Sequence, residues 1–288
     1  MTKFELLVPT HCTLGESPRW DEINNLVYWI DILECKIHCY YEKTGKHTSY
    51  VLPEPIGCLV LDKKGGLILA LKSGIYYLES FNHTPQLIAT SPEIHLKDNR
   101  FNDGRCDARG RLLIGTIYPP KDKGGANCYS FDFVTNTFKL IQDDLMTANG
   151  IAFSLDNQTL YLADTPRHCI YSYNYNLVSG TVSNKKIFAK FQDGKGRPDG
   201  ASIDSDNYYW TALYDGKRIV RLSPLGEIAE SYDFPCQSPT MVAFGGKNLK
   251  TMFVTCVGEN GKSGLYCYES PFTGVVEWRC NGTRISIN

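Results

Sequence analysis

The chain has no apolar run approaching the roughly 18 residues of a membrane span, so a helical membrane protein is not expected. Its first residues, MTKFELLVPT, lack the apolar stretch and cleavage site of a secretory leader. No block of one charge exists: 30 Lys and Arg face 31 Asp and Glu, leaving a formal net charge of −1. A nucleic-acid surface would need clustered cations, and none is present. The 11 cysteines include no C-x-x-C pair, which excludes zinc-ribbon and thioredoxin-type motifs. No G-x-S-x-G elbow and no Gly-rich phosphate loop occur, so neither an α/β-hydrolase triad nor a nucleotide enzyme is indicated. Long helical periodicity is also missing, which removes βαβ architectures.

What remains is strand-like. Hydrophobic residues make up 42% of the chain, enough for a sizeable core. Six runs rich in aromatic and β-branched residues stand out: LVYWID from Leu26, GLILAL from Gly66, RLLIGT from Arg111, TLYLAD from Thr159, YYWTAL from Tyr208 and TMFVTC from Thr251. They recur at roughly 40 to 50 residues, the interval of blade-type repeats. Turn residues follow each, then a second run such as KIHCYY, GIYYLE or GLYCYE. Four short strands per repeat and six repeats give about 48 residues per unit. The expected fold is all-β, a single six-bladed β-propeller with four-stranded blades over 1–288. A β-sandwich pair would leave the long period unexplained. Ring closure is expected from a strand near Phe4–Val8 pairing into the last blade.

Ahead of each central strand lies a short element ending in turn residues: GESPRWD, PIGCLVLD, RFNDGRCD, TANGIAFSLD, RPDGASID and SPTMVAFG. In one phase these place Glu16, Ile56, Asn102, Asn149, Asp199 and Thr240. Singly, Asn-Gly and Asp-Gly read as turn chemistry. Equivalent repeat positions in a propeller, however, return to equivalent places about the axis. The four carboxylate and amide side chains in that phase would therefore meet at one mouth of the channel. Two carboxylates held together require a compensating cation or a shared proton. Oxygen donors suit Ca²⁺, Mg²⁺ or Mn²⁺, and carboxylates also bind Zn²⁺, so one divalent metal ion is the expected cofactor. The six histidines show no ligand spacing. Cysteines such as Cys39, Cys169 and Cys267 fall within apolar runs and read as buried reduced thiols, hence a cytoplasmic protein. The sequons at Asn82, Asn157 and Asn281 are then chance matches.

LGESPRW, NRFNDGRCDARGRLLIGT, ANGIAFSLDNQTLYLADT and RPDGASIDSDNYYWTAL resemble the senescence-marker-protein/gluconolactonase/luciferin-regenerating-enzyme family of sugar lactonases. The resemblance runs from about Glu16 into the last blade. It implies a six-bladed propeller with one divalent metal in its channel and hydrolysis of aldonolactones. By matching motif it assigns Glu16, Asn149 and Asp199 as metal ligands, and Asp199 also as the proton acceptor and donor. Arg100 and Asn102 match residues that contact substrate. One stretch departs. Some animal members carry a Glu after the GT of the third repeat, where this chain has GTIYPPKDKGG, with Tyr118 and prolines. That leaves the sugar open, and the prolines read as a stiff connecting loop.

The expected partner is a small-molecule sugar lactone, with no nucleic acid and no membrane, and the protein acting as a monomer or weak oligomer. The rival readings are a hydrolase of another lactone or ester, as in arylesterase-like or strictosidine-synthase-like propellers, and a non-enzymatic calcium-binding regulatory propeller. The G-H…W-D signature of protein-binding repeats is absent.

Overall fold

The computed structural model describes residues 4–258 and 261–282. Six four-stranded antiparallel sheets follow one another along the chain. Blade 1 holds Gly15–Asp21, Leu26–Asp31, Lys36–Tyr41 and Lys46–Val51. Blade 2 holds Ile56–Leu61, Leu67–Leu71, Gly74–Leu78 and Gln86–Thr90. Blade 3 holds Arg100–Cys106, Leu112–Ile117, Ala126–Asp132 and Thr137–Leu145. Blade 4 holds Ala148–Phe153, Thr159–Asp164, Cys169–Asn176 and Thr181–Lys190. Blade 5 holds Arg197–Ile203, Tyr209–Tyr214, Arg218–Leu222 and Ile228–Asp233. Blade 6 holds Pro239–Gly245, Thr251–Cys256 and Leu265–Glu269. Its fourth strand is Glu5–Val8, with Glu5 opposite Cys267 and Val8 opposite Leu265, so the ring closes as the sequence predicted.

The apolar runs are strands with both faces buried. In Leu112–Ile117, Leu112 and Ile114 pack toward blade 2, and the intervening Leu113 packs toward blade 4. Period-two alternation thus feeds two interfaces instead of one core and one solvent face. Six apolar clusters fill the six gaps between neighbouring blades. Trp29 and Trp210 are fully buried in two of them. Each contributes about 5 kcal/mol of hydrophobic burial. Burial fades outward: Ile56–Leu61 is buried throughout, whereas Ile228–Asp233 buries only Tyr232.

Carboxylates at the ends of the innermost strands are true turn residues. Asp107 accepts from the backbone N–H of Arg109 and Arg111 and from Arg111 Nε at 2.7 Å. Asp204 accepts from the N–H of Asp206 and Tyr208 and, on its other oxygen, from Trp210 Nε1 at 2.9 Å. These Asx turns lock the hairpin between first and second strands. After blade 6 the chain crosses the same end of the channel, bridging Gly274 to Asp204 and Cys280 to Asp62. Glu277 seals it, its carboxylate 2.5 Å from Arg105 Nη1 and 3.4 Å from Arg19 Nε.

All 11 cysteines are free, and only Cys35 and Cys267 are not buried. His38 and His47 stack on Trp29 and bond each other at 3.0 Å, with His38 buried inside blade 1 and His47 exposed on its outermost strand. No helix among the described residues is long and apolar enough to cross a membrane. The sequon at Asn281 extends beyond the described residues.

Candidate active site

The six phase positions fall at the starts of the six innermost strands, and each of those strands breaks register there. The shift lies between Glu16 and Arg19, Ile56 and Cys58, Phe101 and Gly104, Asn149 and Ala152, Pro198 and Ala201, and Pro239 and Met241. A β-bulge adds a residue on one strand and re-aims its side chains. Asp199-Gly200 is therefore not a turn, as the dipeptide alone would read, but the bulge inside Arg197–Ile203. Its glycine serves close packing, since a Cβ on Gly200 would overlap Met241 of the next blade. Gly150 sits at φ 56°, a conformation that favours glycine. Ser17 adopts φ 51° without being glycine, and its hydroxyl accepts from Leu59 N–H at 3.1 Å. This backbone outlier directly follows Glu16 and fixes its direction.

Four of the six positions converge. Glu16, Asn102, Asn149 and Asp199 line one open cavity, together with Arg100. Ile56 instead enters the apolar cluster between blades 1 and 2. Thr240 is buried, donating to the Gly15 carbonyl at 2.6 Å. The cavity wall also carries Lys121, Thr147, Thr165, Arg197 and Tyr214, which sequence reasoning missed. Thr165 opens a short 3₁₀ turn, Thr165–Arg167, straight after the second strand of blade 4. Tyr118 is not in the wall; its ring lies against Gly125 and the cluster between blades 3 and 4.

A directed hydrogen-bond chain holds the polar groups. Arg100 Nη1 donates to Asn102 Oδ1 at 2.9 Å and to the Phe101 carbonyl at 2.9 Å. Asn102 Nδ2 donates to Asn149 Oδ1 at 2.5 Å and to the Ala148 carbonyl at 3.1 Å. Asn149 Nδ2 donates to Thr165 Oγ1 at 2.8 Å, and the Thr165 hydroxyl donates to the Pro198 carbonyl at 2.7 Å. The run ties blades 3, 4 and 5 together and fixes the Asn149 amide, with its oxygen on the Asn102 side.

The carboxylates lack such compensation. Burial, then the charge of Glu16, then that of Asp103, push Asp199 well above the usual carboxylate range, against the pull of Arg197 and Lys121. Burial and Asp103 raise Glu16 to about 8, opposed by the Ser17 N–H, Arg100 and Arg19. Two acids that resist ionisation side by side, with an amide oxygen beside them, form an oxygen donor set matched to a divalent cation. No group of three or more His, Cys, Asp or Glu among the described residues is arranged for a metal ion. The candidate donor set contains two carboxylates and one amide.

Residues 14–258 match the sequence model of the family described as "SMP-30/Gluconolactonase/LRE-like region". The chain belongs to this family. Among its relatives, the 6-deoxy-6-sulfogluconolactonase of Pseudomonas putida is 38% identical over 264 residues, covering 91% of this chain and 89% of that one. The pentonolactonase of Haloferax volcanii is 30% identical over 257 residues, covering 88% and 85%. Among solved structures, a calcium-binding protein of Agrobacterium tumefaciens, regucalcin, superposes with a TM-score of 0.91 at 24% identity, over 96% and 97% of the two chains. That likeness establishes the fold.

Proposed function

We propose that this chain is a lactonase that hydrolyses the ester ring of sugar lactones at the cavity shared by blades 1, 3, 4 and 5, acting as one propeller domain. The observation that carries the reading is the convergence of Glu16, Asn102, Asn149 and Asp199 on one wall by bulges in their strands. Glu16, Asn149 and Asp199 would hold a single divalent cation, Ca²⁺, Zn²⁺, Mg²⁺ or Mn²⁺. When bound, such an ion supplies Lewis acidity toward the carbonyl and toward water. Membership of a family with sugar lactonases among its relatives supports the substrate class.

Asp199 acts as the proton carrier. Burial makes its ionised carboxylate a stronger base, and in that form it accepts a proton from the attacking water and returns it to the ring oxygen as the ester C–O bond breaks. Glu16 contributes the second negative charge. Asn149 is held in orientation by Thr165 and Asn102. Arg100 and Asn102 bind sugar hydroxyls or the carbonyl oxygen, and their own bond keeps both pointed at the cavity. Free, mostly buried thiols fit a reducing compartment and a cytoplasmic enzyme.

The test is a pH-drop assay over a panel of sugar lactones, with and without chelator. Ring opening that disappears on chelation and returns with a divalent ion is the expected result. Ion binding without opening of any lactone or ester would assign the site to a binding propeller instead.

A further inference from the structure

The proline-stiffened stretch after the third repeat has a consequence for the substrate, resting on the lactonase reading above. Pro119 and Pro120 lead into Lys121, which takes φ 54° and closes a turn by donating its N–H to the Tyr118 carbonyl at 3.1 Å. The turn turns Lys121 onto the cavity wall, while its neighbours Asp122 and Lys123 do not line the cavity. Arg197 lies on the same wall, two residues before Asp199 on one innermost strand. That spacing sets it one pleat, about 7 Å, along the strand from Asp199. Its guanidinium is held by Asp215 and by the ring of Tyr214, 5.0 Å away, and it stays half-buried at the rim. Arg100 brings a third cation.

The charges do not cancel. Arg100 bonds only neutral oxygens, and neither Arg100 nor Lys121 makes an ion pair with a carboxylate among the described residues. Once a divalent ion compensates Glu16 and Asp199, the wall keeps an excess of positive charge. Arg197 is already paired with Asp215, so Arg100 and Lys121 are the wall's cations without a carboxylate partner, and an anion placed between them and Arg197 gains from all three. A neutral sugar lactone has no group that answers this.

We propose that Lys121 and Arg197 form a subsite for an acidic oxyanion (a sulfonate, phosphate or carboxylate) carried by the lactone at the end remote from its carbonyl. Lys121 supplies a mobile point charge, and Arg197 a planar guanidinium oriented by Asp215 and Tyr214.

The experiment compares kcat/KM for glucono-1,5-lactone with that for its 6-phospho, 6-sulfo and 6-carboxylate counterparts, using metal-loaded wild type, Lys121→Ala and Lys121→Arg. Calorimetric binding of the matching open-chain acids is measured in parallel. Wild type should favour at least one anionic lactone. The ratio of anionic to neutral kcat/KM should fall about 10- to 100-fold in Lys121→Ala, the scale of one lost charge-assisted hydrogen bond. Lys121→Arg should keep most of it, and salt should erode it. Equal handling of neutral and anionic lactones by wild type, or an equal fall for both in Lys121→Ala, would overturn the subsite. If no lactone is opened while the anionic acids still bind more tightly in a Lys121-dependent way, the hydrolase reading falls and the subsite stands.

Discussion

Asn102 and Asn149, on neighbouring blades, share a 2.5 Å hydrogen bond from the Nδ2 of the first to the Oδ1 of the second. This contact couples a residue proposed to touch substrate to a residue proposed to hold the ion. The coupling continues through Thr165 to the backbone beside Asp199, so the site behaves as one braced unit.

Asp199→Asn keeps the size and one oxygen donor while removing the charge and the proton acceptor. With metal present, kcat should fall about 10²- to 10⁴-fold, and weaker ion binding should add to that. Circular dichroism should stay that of the wild type, because Asn-Gly suits a bulge as well as Asp-Gly does. Near wild-type turnover in the folded, metal-loaded variant would remove Asp199 from the mechanism.

Thr165→Val leaves the Asn149 amide without its acceptor and the Pro198 carbonyl without its donor. Divalent-ion affinity, read by calorimetric titration, should drop about tenfold, as for other groups that orient a ligand. Thr165→Ser should restore it. A Val variant that destabilises the protein yet binds the ion normally would show that the hydroxyl serves packing alone.

Glu16, raised to about 8 by burial and Asp103, gives the metal-free protein a pH signature. A carboxyl whose folded pKa lies above its unfolded value binds more protons in the native state. Its stabilising contribution is complete below about pH 4.5 and is lost as the pH rises through about 8. The raised Asp199 acts in the same direction. The thermal midpoint of chelated protein should therefore fall between about pH 5 and 8, and added Ca²⁺ should flatten that fall while releasing protons. Identical pH profiles with and without the ion would argue against these two acids as its ligands.

A thiol reagent should modify Cys35 and Cys267 in the native protein and leave the other nine untouched until unfolding, since those nine are buried. Thiol counting before and after guanidinium, with no reductant, checks this. Fewer than 11 reactive thiols in the unfolded chain would indicate a disulfide and an oxidising compartment.

The blades were legible because LVYWID, TLYLAD and their counterparts must bury both faces, which leaves apolar runs whose spacing reveals the period. The site phase was legible because equal repeat positions share one height in the channel. The bulges were not, since Asp-Gly and Asn-Gly suit a hairpin turn and a strand kink alike. Asp199 and Asp204 differ only in which end of one strand they occupy. Lys121 and Thr165 come from connecting segments, whose placement depends on blades distant in sequence. The pairing of Glu277 with Arg19 joins the two ends of the chain and has no local signal at all.

Closure of blade 6 by Glu5–Val8 sets the order in which the protein can be finished. The strand Glu5–Val8 leaves the ribosome well before its partner, Leu265–Glu269, is made. At ordinary elongation rates the wait is roughly 13 to 50 seconds. Throughout it, blades 1 to 5 can assemble from local hairpins, whereas an unpaired Glu5–Val8 edge and the open flank of blade 1 stay exposed. Nascent chains should thus be most prone to mispairing with one another in this interval, and a chaperone that shields the first strand would raise yield without touching the finished enzyme.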